Sequence, residues 1–233
     1  MGPADHWGLA HRRLYLCSPD RPDLERFVEA CILGGVDIVQ LREKHLDDHR
    51  LVGRATSLQR VCADHQVPFI LNDRPDLAAS IGADGVHVGQ DDMSPAATRG
   101  IMGGEPIVGL STHAPAELDA AIGIDGEGPV PVEYISAGPV TATPTKPGRP
   151  GTGIGYVREA VRRAPWPVWI TGGVDPVTVE PMIAAGARHF VVVRWLTEAS
   201  DPLENARLLR LAIDEGIADA EDPEPGHPAI AGE

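Results

Sequence analysis

Gln40, Arg42 and Lys44 alternate along the stretch QLREK. On an extended strand alternate side chains share a face, so an amide, a guanidinium and an ammonium aim together. Two cations and an amide so placed suit an oxyanion-rich group such as a diphosphate. A charge run is more often a solvated surface, but this one follows apolar residues at the end of a candidate strand, where binding residues concentrate. Asp73 (in Asn72-Asp73) and Asp92 (in Gly89-Gln90-Asp91-Asp92) add two carboxylates. Such a pair beside a diphosphate suits one Mg²⁺ ion, a hard cation that prefers oxygen and shares its shell with phosphate and water. Either aspartate alone would serve equally well as a helix cap, Asp73 ahead of Asp76 and Asp92 ahead of Ser94-Pro95. The pairing is what favours metal.

Further polar clusters follow other candidate strands. Ser111-Thr112-His113 closes one run, and Gly138–Gly153 (GPVTATPTKPGRPGTG) is a long Gly-, Pro- and Thr-rich segment. Its hydroxyls, amides and Lys146 can wrap an anion or close as a lid, the alternative being a plain surface loop. Gly172-Gly173 and Val193-Arg194 stand where backbone amides bind phosphate in barrel folds. His87, inside a β-run, reads as a hydrogen-bonded interior histidine. His113, at a strand end, suits either a ligand contact or a structural hydrogen bond. Cys17 has nothing basic placed to activate it and reads as inert. No Ser-His-Asp order and no metal-histidine motif stands out.

The elements that must carry these groups are eight short β-branched runs: 14–17, 38–41, 69–71, 85–88, 107–110, 134–136, 168–170 and 190–193. Helical stripes separate several of them. Asp23–Leu33 carries Leu24, Phe27, Val28, Cys31 and Ile32, and Asp47–Asp64 carries Leu51, Ala55, Leu58 and Val61-Cys62. Pro115–Ile122 and Pro176–Ala185 open with proline in the first turn, the latter behind an Asp175 cap. Pro202–Gly216 presents Leu203, Ala206, Leu209 and Ile213. Three helices run into glycine phrases just before a strand, at Gly34-Gly35, Gly82 and Gly186, where glycine ends a helix in the left-handed region. Eight repeated βα units predict an α/β fold, a single-domain (β/α)8 TIM barrel over residues 13–217. An open parallel sheet is the alternative. Residues 1–12 read as an N-terminal extension, and 218–233 as an acidic, unstructured tail.

Composition bounds the function. Of 233 residues, 42% are hydrophobic and only 4% aromatic, so the core must be aliphatic. The net charge of −14 disfavours a general nucleic-acid binder, which would normally be basic. Asp219, Glu221, Asp222, Glu224 and Glu233 contribute five acids with no Lys or Arg among them, and removing them takes −14 only to −9. An anion site must therefore gather its positive charge locally. No apolar run approaches a membrane span, and MGPADHWGLAHRR has no apolar signal core. Three cysteines without a close pair argue against a disulfide framework, so a cytoplasmic protein is expected. The partners expected are small molecules, not nucleic acid or membrane; the oligomeric state stays open, a homo-oligomer included.

Taken in order, QLREK, ND, GVHVGQDD, GLS at Gly109–Ser111, GPVTATPTK, GG and Thr197-Glu198-Ala199 resemble the thiamine-phosphate synthase (thiamine-phosphate pyrophosphorylase) family over about residues 13–215. The set is specific; no single phrase is. The resemblance implies a Mg²⁺-dependent transferase that joins 4-amino-2-methyl-5-hydroxymethylpyrimidine diphosphate to 4-methyl-5-(2-phosphoethyl)thiazole, releasing diphosphate. It implies Gln40, Arg42, Lys44, Asn72 and Lys146 as pyrimidine-diphosphate binders, with Leu41 and Glu43 counted in the same stretch. Asp73 and Asp92 would be metal ligands, and Ser111 would lie beside the pyrimidine and its leaving group. Thr143, Pro144, Thr145, Gly172, Gly173, Val193 and Arg194 would serve the thiazole phosphate. Arg42, Lys44, Ser111 and Lys146 are expected to be catalytic. Arg194 departs from the family, where many relatives carry serine, and Asp125–Pro131 looks like a small surface insertion. A thiazole tautomerase relative and a non-catalytic phosphometabolite-binding barrel are the alternatives; the former would be expected to lack the full diphosphate and magnesium set.

Overall fold

A computed structural model of the chain describes residues 7–124, 126, 128–142 and 151–221. Eight parallel strands close on themselves in sequence order: β1 (Leu14–Ser18), β2 (Ile38–Leu41), β3 (Phe69–Asn72), β4 (Gly85–Val88), β5 (Ile107–Thr112), β6 (Tyr134–Ala137), β7 (Val168–Thr171) and β8 (His189–Val192). β8 pairs with β1 through Leu14 opposite Phe190 and Leu16 opposite Val192, so the sheet is a barrel and the open alternative is excluded.

The surrounding helices are α1 (Leu24–Leu33), α2 (Asp48–Asp64), α3 (Pro75–Ile81), α4 (Pro95–Met102), α5 (Pro115–Ile122), α6 (Gly153–Arg163), α7 (Val179–Ala184), α8 (Arg194–Thr197) and α9 (Pro202–Glu221). No periodic stripe marks α3, α4, α6 or α8, although the Gly82 phrase signals the end of α3: α3 and α8 are too short to show a stripe, and α6 starts directly after the Gly/Pro/Thr-rich segment. α7 begins later than expected. Asp175 accepts from the Val177 and Thr178 amides, which ties Pro176 into a turn ahead of the helix. α9 runs on to Glu221, into the stretch expected as an unstructured tail, because Ile217 continues the buried row of Ala206, Leu209 and Ile213. Leu203, expected on that row, is exposed. The described part of the 125–131 insertion is mostly exposed, as expected.

Strand parity divides the core in two. Outward residues such as Leu16, Val39, Leu71, Val86 and Ile170 pack under the helices. Inward residues Tyr15, Ile38, Ile70, Ile107, Tyr134 and Trp169 fill the barrel together with Leu9. Each fully buried side chain of this kind contributes about 1.5–3 kcal/mol through apolar burial. Leu9 belongs to a 3-10 turn, Leu9–His11, that folds beneath the barrel, and Trp7 anchors it by donating to the Glu105 carbonyl at 3.1 Å. Residues 7–12, the described part of the N-terminal extension, therefore form a plug.

One device sets the register three times. An acid just before an even-numbered strand accepts backbone amides at the start of the preceding strand. Asp37 takes the Arg13 and Leu14 amides at 2.8 and 3.0 Å, Asp84 takes that of Phe69 at 2.8 Å, and Glu133 takes that of Val108 at 2.7 Å. Ionised acceptors on backbone N–H groups make strong hydrogen bonds, and here they lock neighbouring strands at their amino ends.

Candidate active site

Along each strand the inward positions change from apolar to polar towards the carboxyl end. Gln40 from β2, Asn72 from β3, His87 from β4, Ser111 from β5 and Ser136 from β6 therefore converge, with Arg42 beyond the end of β2, around a cavity of about 70 Å³. Gln40, Asn72, Ser111 and Ser136 are all buried. Room for this layer comes from Gly109: a Cβ there would stand 2.1 Å from Cζ of Tyr134, whose ring occupies the space instead. His87 bonds Tyr134 Oη through Nδ1 at 2.9 Å and Ser111 Oγ through Nε2 at 2.8 Å. Gln90 donates to the Ser111 carbonyl at 2.6 Å.

At the rim, Lys44 Nζ lies 2.6 Å from Asp73 Oδ2. Asp73 has φ 62, a left-handed conformation uncommon for a non-glycine residue, with its amide donating to the His87 carbonyl at 2.9 Å. Strain of that kind persists where the surroundings enforce it and clusters at functional sites. Burial pushes the Asp73 carboxyl above the usual carboxylate range; the Lys44 ammonium pulls it down, and the carboxyl of Asp92, within hydrogen-bonding distance, pushes it up again. Asp92 also accepts the Gly89 amide at 2.8 Å. Neither aspartate caps a helix: Ser94 caps α4, and Arg74 holds the N-cap position of α3. Two apposed carboxylates with an excess of negative charge fit a hard divalent cation. Among the described residues no group of three or more His, Cys, Asp or Glu gathers to hold a metal.

A second cavity, of about 380 Å³, adjoins the first. Thr171, Val191 and Val193 line both. Gly172, Gly173, Arg194 and Asn205 line the second alone. The glycines have φ 96 and 79. A Cβ on Gly172 would lie 2.4 Å from Cβ of Pro139, and one on Gly173 would lie 2.3 Å from Oγ1 of Thr141, so only glycine lets the turn pass this close to the segment after β6.

The structure thus brings together Gln40, Arg42, Asn72 and Ser111 in one cavity, Lys44, Asp73 and Asp92 at the rim, and Gly172, Gly173, Val193 and Arg194 in the second cavity. Leu41 has no place among them: its parity turns it outward, where it is fully buried under the helices. Glu43 lines neither cavity and accepts the His45 amide at 2.7 Å. Thr143, Pro144, Thr145 and Lys146 lie outside the described residues. His113 makes a structural bond, Nδ1 to the Gly138 carbonyl at 2.6 Å. Sequence reasoning misses Tyr134, Ser136 and Asn205; inward parity alone would have marked Tyr134 and Ser136, which share the face of Trp169 and Ser111 in the register. All three cysteines are buried thiols outside any disulfide, and burial pushes those of Cys31 and Cys62 up to about 12.

The family model described as thiamine monophosphate synthase matches residues 14–196. A thiamine-phosphate synthase of Arthrobacter sp. (strain FB24) is 40% identical, the match covering 90% of this chain and 98% of the relative. That of Thermus thermophilus is 44% identical over 85% of this chain and 95% of its own length. Among solved structures, thiamine phosphate pyrophosphorylase from Pyrococcus furiosus superposes with a TM-score of 0.78 at 23% identity, covering 90% of this chain and 98% of that one, a likeness of fold. The chain belongs to the thiamine-phosphate synthase family.

Proposed function

We propose that the chain is a Mg²⁺-dependent transferase that condenses 4-amino-2-methyl-5-hydroxymethylpyrimidine diphosphate with 4-methyl-5-(2-phosphoethyl)thiazole, giving thiamine phosphate and diphosphate. The observation that carries this reading is the adjoining pair of cavities. One is lined by amide, hydroxyl and guanidinium groups and the other by a glycine turn, and they share Thr171, Val191 and Val193. Two substrates that must touch at one bond would meet where the two cavities adjoin.

Gln40, Asn72 and Ser111 hold and orient the pyrimidine, and Arg42 and Lys44 face the diphosphate. Asp73 and Asp92 hold Mg²⁺, which when bound neutralises charge on the departing diphosphate. The bond broken joins a benzylic-type CH₂ to oxygen, and the aminopyrimidine stabilises positive charge on that carbon, so a dissociative path is supported. Arg42 and Lys44 meet the growing negative charge of the leaving group from fixed positions, the arrangement that lowers such a barrier most. In this reading Lys146 serves the diphosphate and Thr143 and Thr145 the thiazole phosphate, as the family resemblance implies. The Gly172-Gly173 turn and Arg194 hold the thiazole phosphate, so that its ring nitrogen faces the carbon and displaces water. That nitrogen carries no proton, so no general base is needed. Among the described residues no helix is long and apolar enough to cross a membrane, and three cysteines outside any disulfide support work in a reducing cytoplasm.

The test mixes the protein with both substrates and Mg²⁺ and measures thiamine phosphate, with and without EDTA. Metal-dependent product is expected. Product in EDTA overturns the magnesium assignment, and no product from folded protein turns the reading into a binding-only barrel.

A further inference from the structure

The polar layer of the first cavity rests on a chain of hydrogen bonds that descends into the barrel. Ser136 Oγ donates to Ser111 Oγ at 3.4 Å, and Ser111 Oγ meets His87 Nε2 at 2.8 Å. His87 Nδ1 meets Tyr134 Oη at 2.9 Å, and Tyr134 Oη meets Tyr15 Oη at 3.0 Å. Below that point the layer offers no side-chain acceptor: it holds Leu9, Ile38, Ile70 and Ile107, with the Trp169 ring, whose indole nitrogen can only donate, set edge-on to Tyr15 at 5.3 Å. Tyr15 and Tyr134 are sealed from solvent. Tyr134 is the one hydrogen-bond partner of Tyr15 Oη among the described residues.

Each hydroxyl has a single proton to give, and a neutral imidazole has one donor and one acceptor nitrogen. Suppose the chain ran downward, with Ser111 donating to Nε2, Nδ1–H donating to Tyr134 and Tyr134 donating to Tyr15. The Tyr15 proton would then face the apolar layer without an acceptor. An imidazolium fares no better: Tyr134 would accept from both neighbours and its own proton would be orphaned. A buried unmade hydrogen bond is costly. The upward order satisfies every group: Tyr15 donates to Tyr134, Tyr134 to His87 Nδ1, and Nε2–H to Ser111. Ser111 Oγ then accepts from both His87 and Ser136, so its own proton must point into the cavity.

We infer that His87 and Tyr134 are positioning residues that hold the imidazole as its Nε2–H tautomer and so make Ser111 an obligate hydrogen-bond donor to the substrate in the first cavity. The role of Ser111 rests on the synthase reading; the polarity of the chain does not. The direction is set by the apolar end of the chain rather than by Tyr15 itself. Without the Tyr15 hydroxyl, Tyr134 still has one acceptor to donate to, His87 Nδ1.

The experiment uses ¹⁵N-histidine-labelled full-length protein, with the His87 signals identified by their loss in His87→Gln. Long-range ¹H–¹⁵N correlation on the ligand-free protein is expected to show Nδ1 unprotonated and Nε2 protonated at neutral pH. Tyr15→Phe keeps that tautomer. Tyr134→Phe deprives Nδ1 of its donor, gives a tautomer mixture, and lowers kcat by about three- to tenfold, the size of one misdirected hydrogen bond. Each variant deletes one hydroxyl from the same buried Tyr15–Tyr134 pair, so a merely structural role predicts matching tautomers in the two. An Nδ1–H ring or an imidazolium in the wild type overturns the inference. So does an unchanged tautomer in a folded Tyr134→Phe, or an equal disturbance in Tyr15→Phe. A wild-type protein with the Nε2–H ring that makes no thiamine phosphate overturns the synthase reading and leaves the polarity intact.

Discussion

Lowering the pH should destabilise the barrel through one residue, His189. It opens β8, is 9% exposed, and its Nδ1 lies 2.7 Å from the Arg12 carbonyl, which makes that nitrogen the donor of a neutral ring. Burial lowers its pKa, the Arg12 carbonyl pulls the other way, and Arg13 and Arg188 lower it further, to about 4. In the unfolded chain the ring titrates near 6.5. The neutral ring is therefore favoured by folding. Its contribution is fully present above pH 6.5, is lost as pH falls from there, and stops falling below about pH 4, where the folded ring protonates as well. Proton linkage gives a loss on the order of 1 kcal/mol between pH 7.5 and pH 5.5. Both values stay above the isoelectric point near 5.0. The assay is urea unfolding of the wild type and His189→Asn at the two pH values; the asparagine amide preserves a donor for the Arg12 carbonyl. The variant is less stable overall, having lost its contact with the Trp169 ring at 5.0 Å. Its loss between the two pH values should nevertheless be smaller by roughly 1 kcal/mol. Equal losses in the two proteins would refute a ring held neutral by burial.

Other perturbations follow from the same geometry. Gly109→Ala places a Cβ 2.1 Å from the Tyr134 ring and should cost ~1–3 kcal/mol of overpacking in thermal or urea unfolding; unchanged stability would show that the Tyr134 ring is not confined. Asp92→Asn keeps an oxygen for the Gly89 amide but removes a charge from the pair with Asp73. The Mg²⁺ concentration for half-maximal activity should rise by roughly tenfold or more with the fold intact, and an unchanged Mg²⁺ titration removes Asp92 from the metal site. Asp37→Asn sets an amide against Arg210, 2.9 Å away, and against the Arg13 and Leu14 amides. It should lower stability by ~1–3 kcal/mol while leaving KM for either substrate unchanged; a changed KM would mean that the strand clamp reaches the site.

The barrel was legible because its signals are local and repeated. Eight β-branched runs and glycine-ended helices announce themselves without tertiary information, and Gly35, Gly82 and Gly186 do take positive φ. The first-cavity residues Gln40 and Arg42 were legible for the same reason, since period-two alternation alone sends them inward. Lys44 lies past the end of β2, and its partner Asp73 is a tertiary fact. Alternation used consistently would also have set Leu41 aside and picked out Tyr134 and Ser136. What no local pattern carries is the contact between Asp73 and Asp92, which depends on the left-handed turn at Asp73. Nor does a periodic stripe reveal α3 or α8, whose seven and four residues form against a core already built.

Among the described residues, closure of the lower mouth by Leu9 and Trp7, with the bracing of strand starts by Asp37, Asp84 and Glu133, leaves the doorway for substrates at the opposite end. Height along the axis then becomes a guide to mutational consequence. Substitutions near the stopper should surface as changes in expression and heat tolerance, and those near the doorway as changes in turnover at undiminished yield. Only the middle storey, where Tyr134 and His87 meet, joins the two kinds of effect, so a library of random variants should show its double defects clustered there.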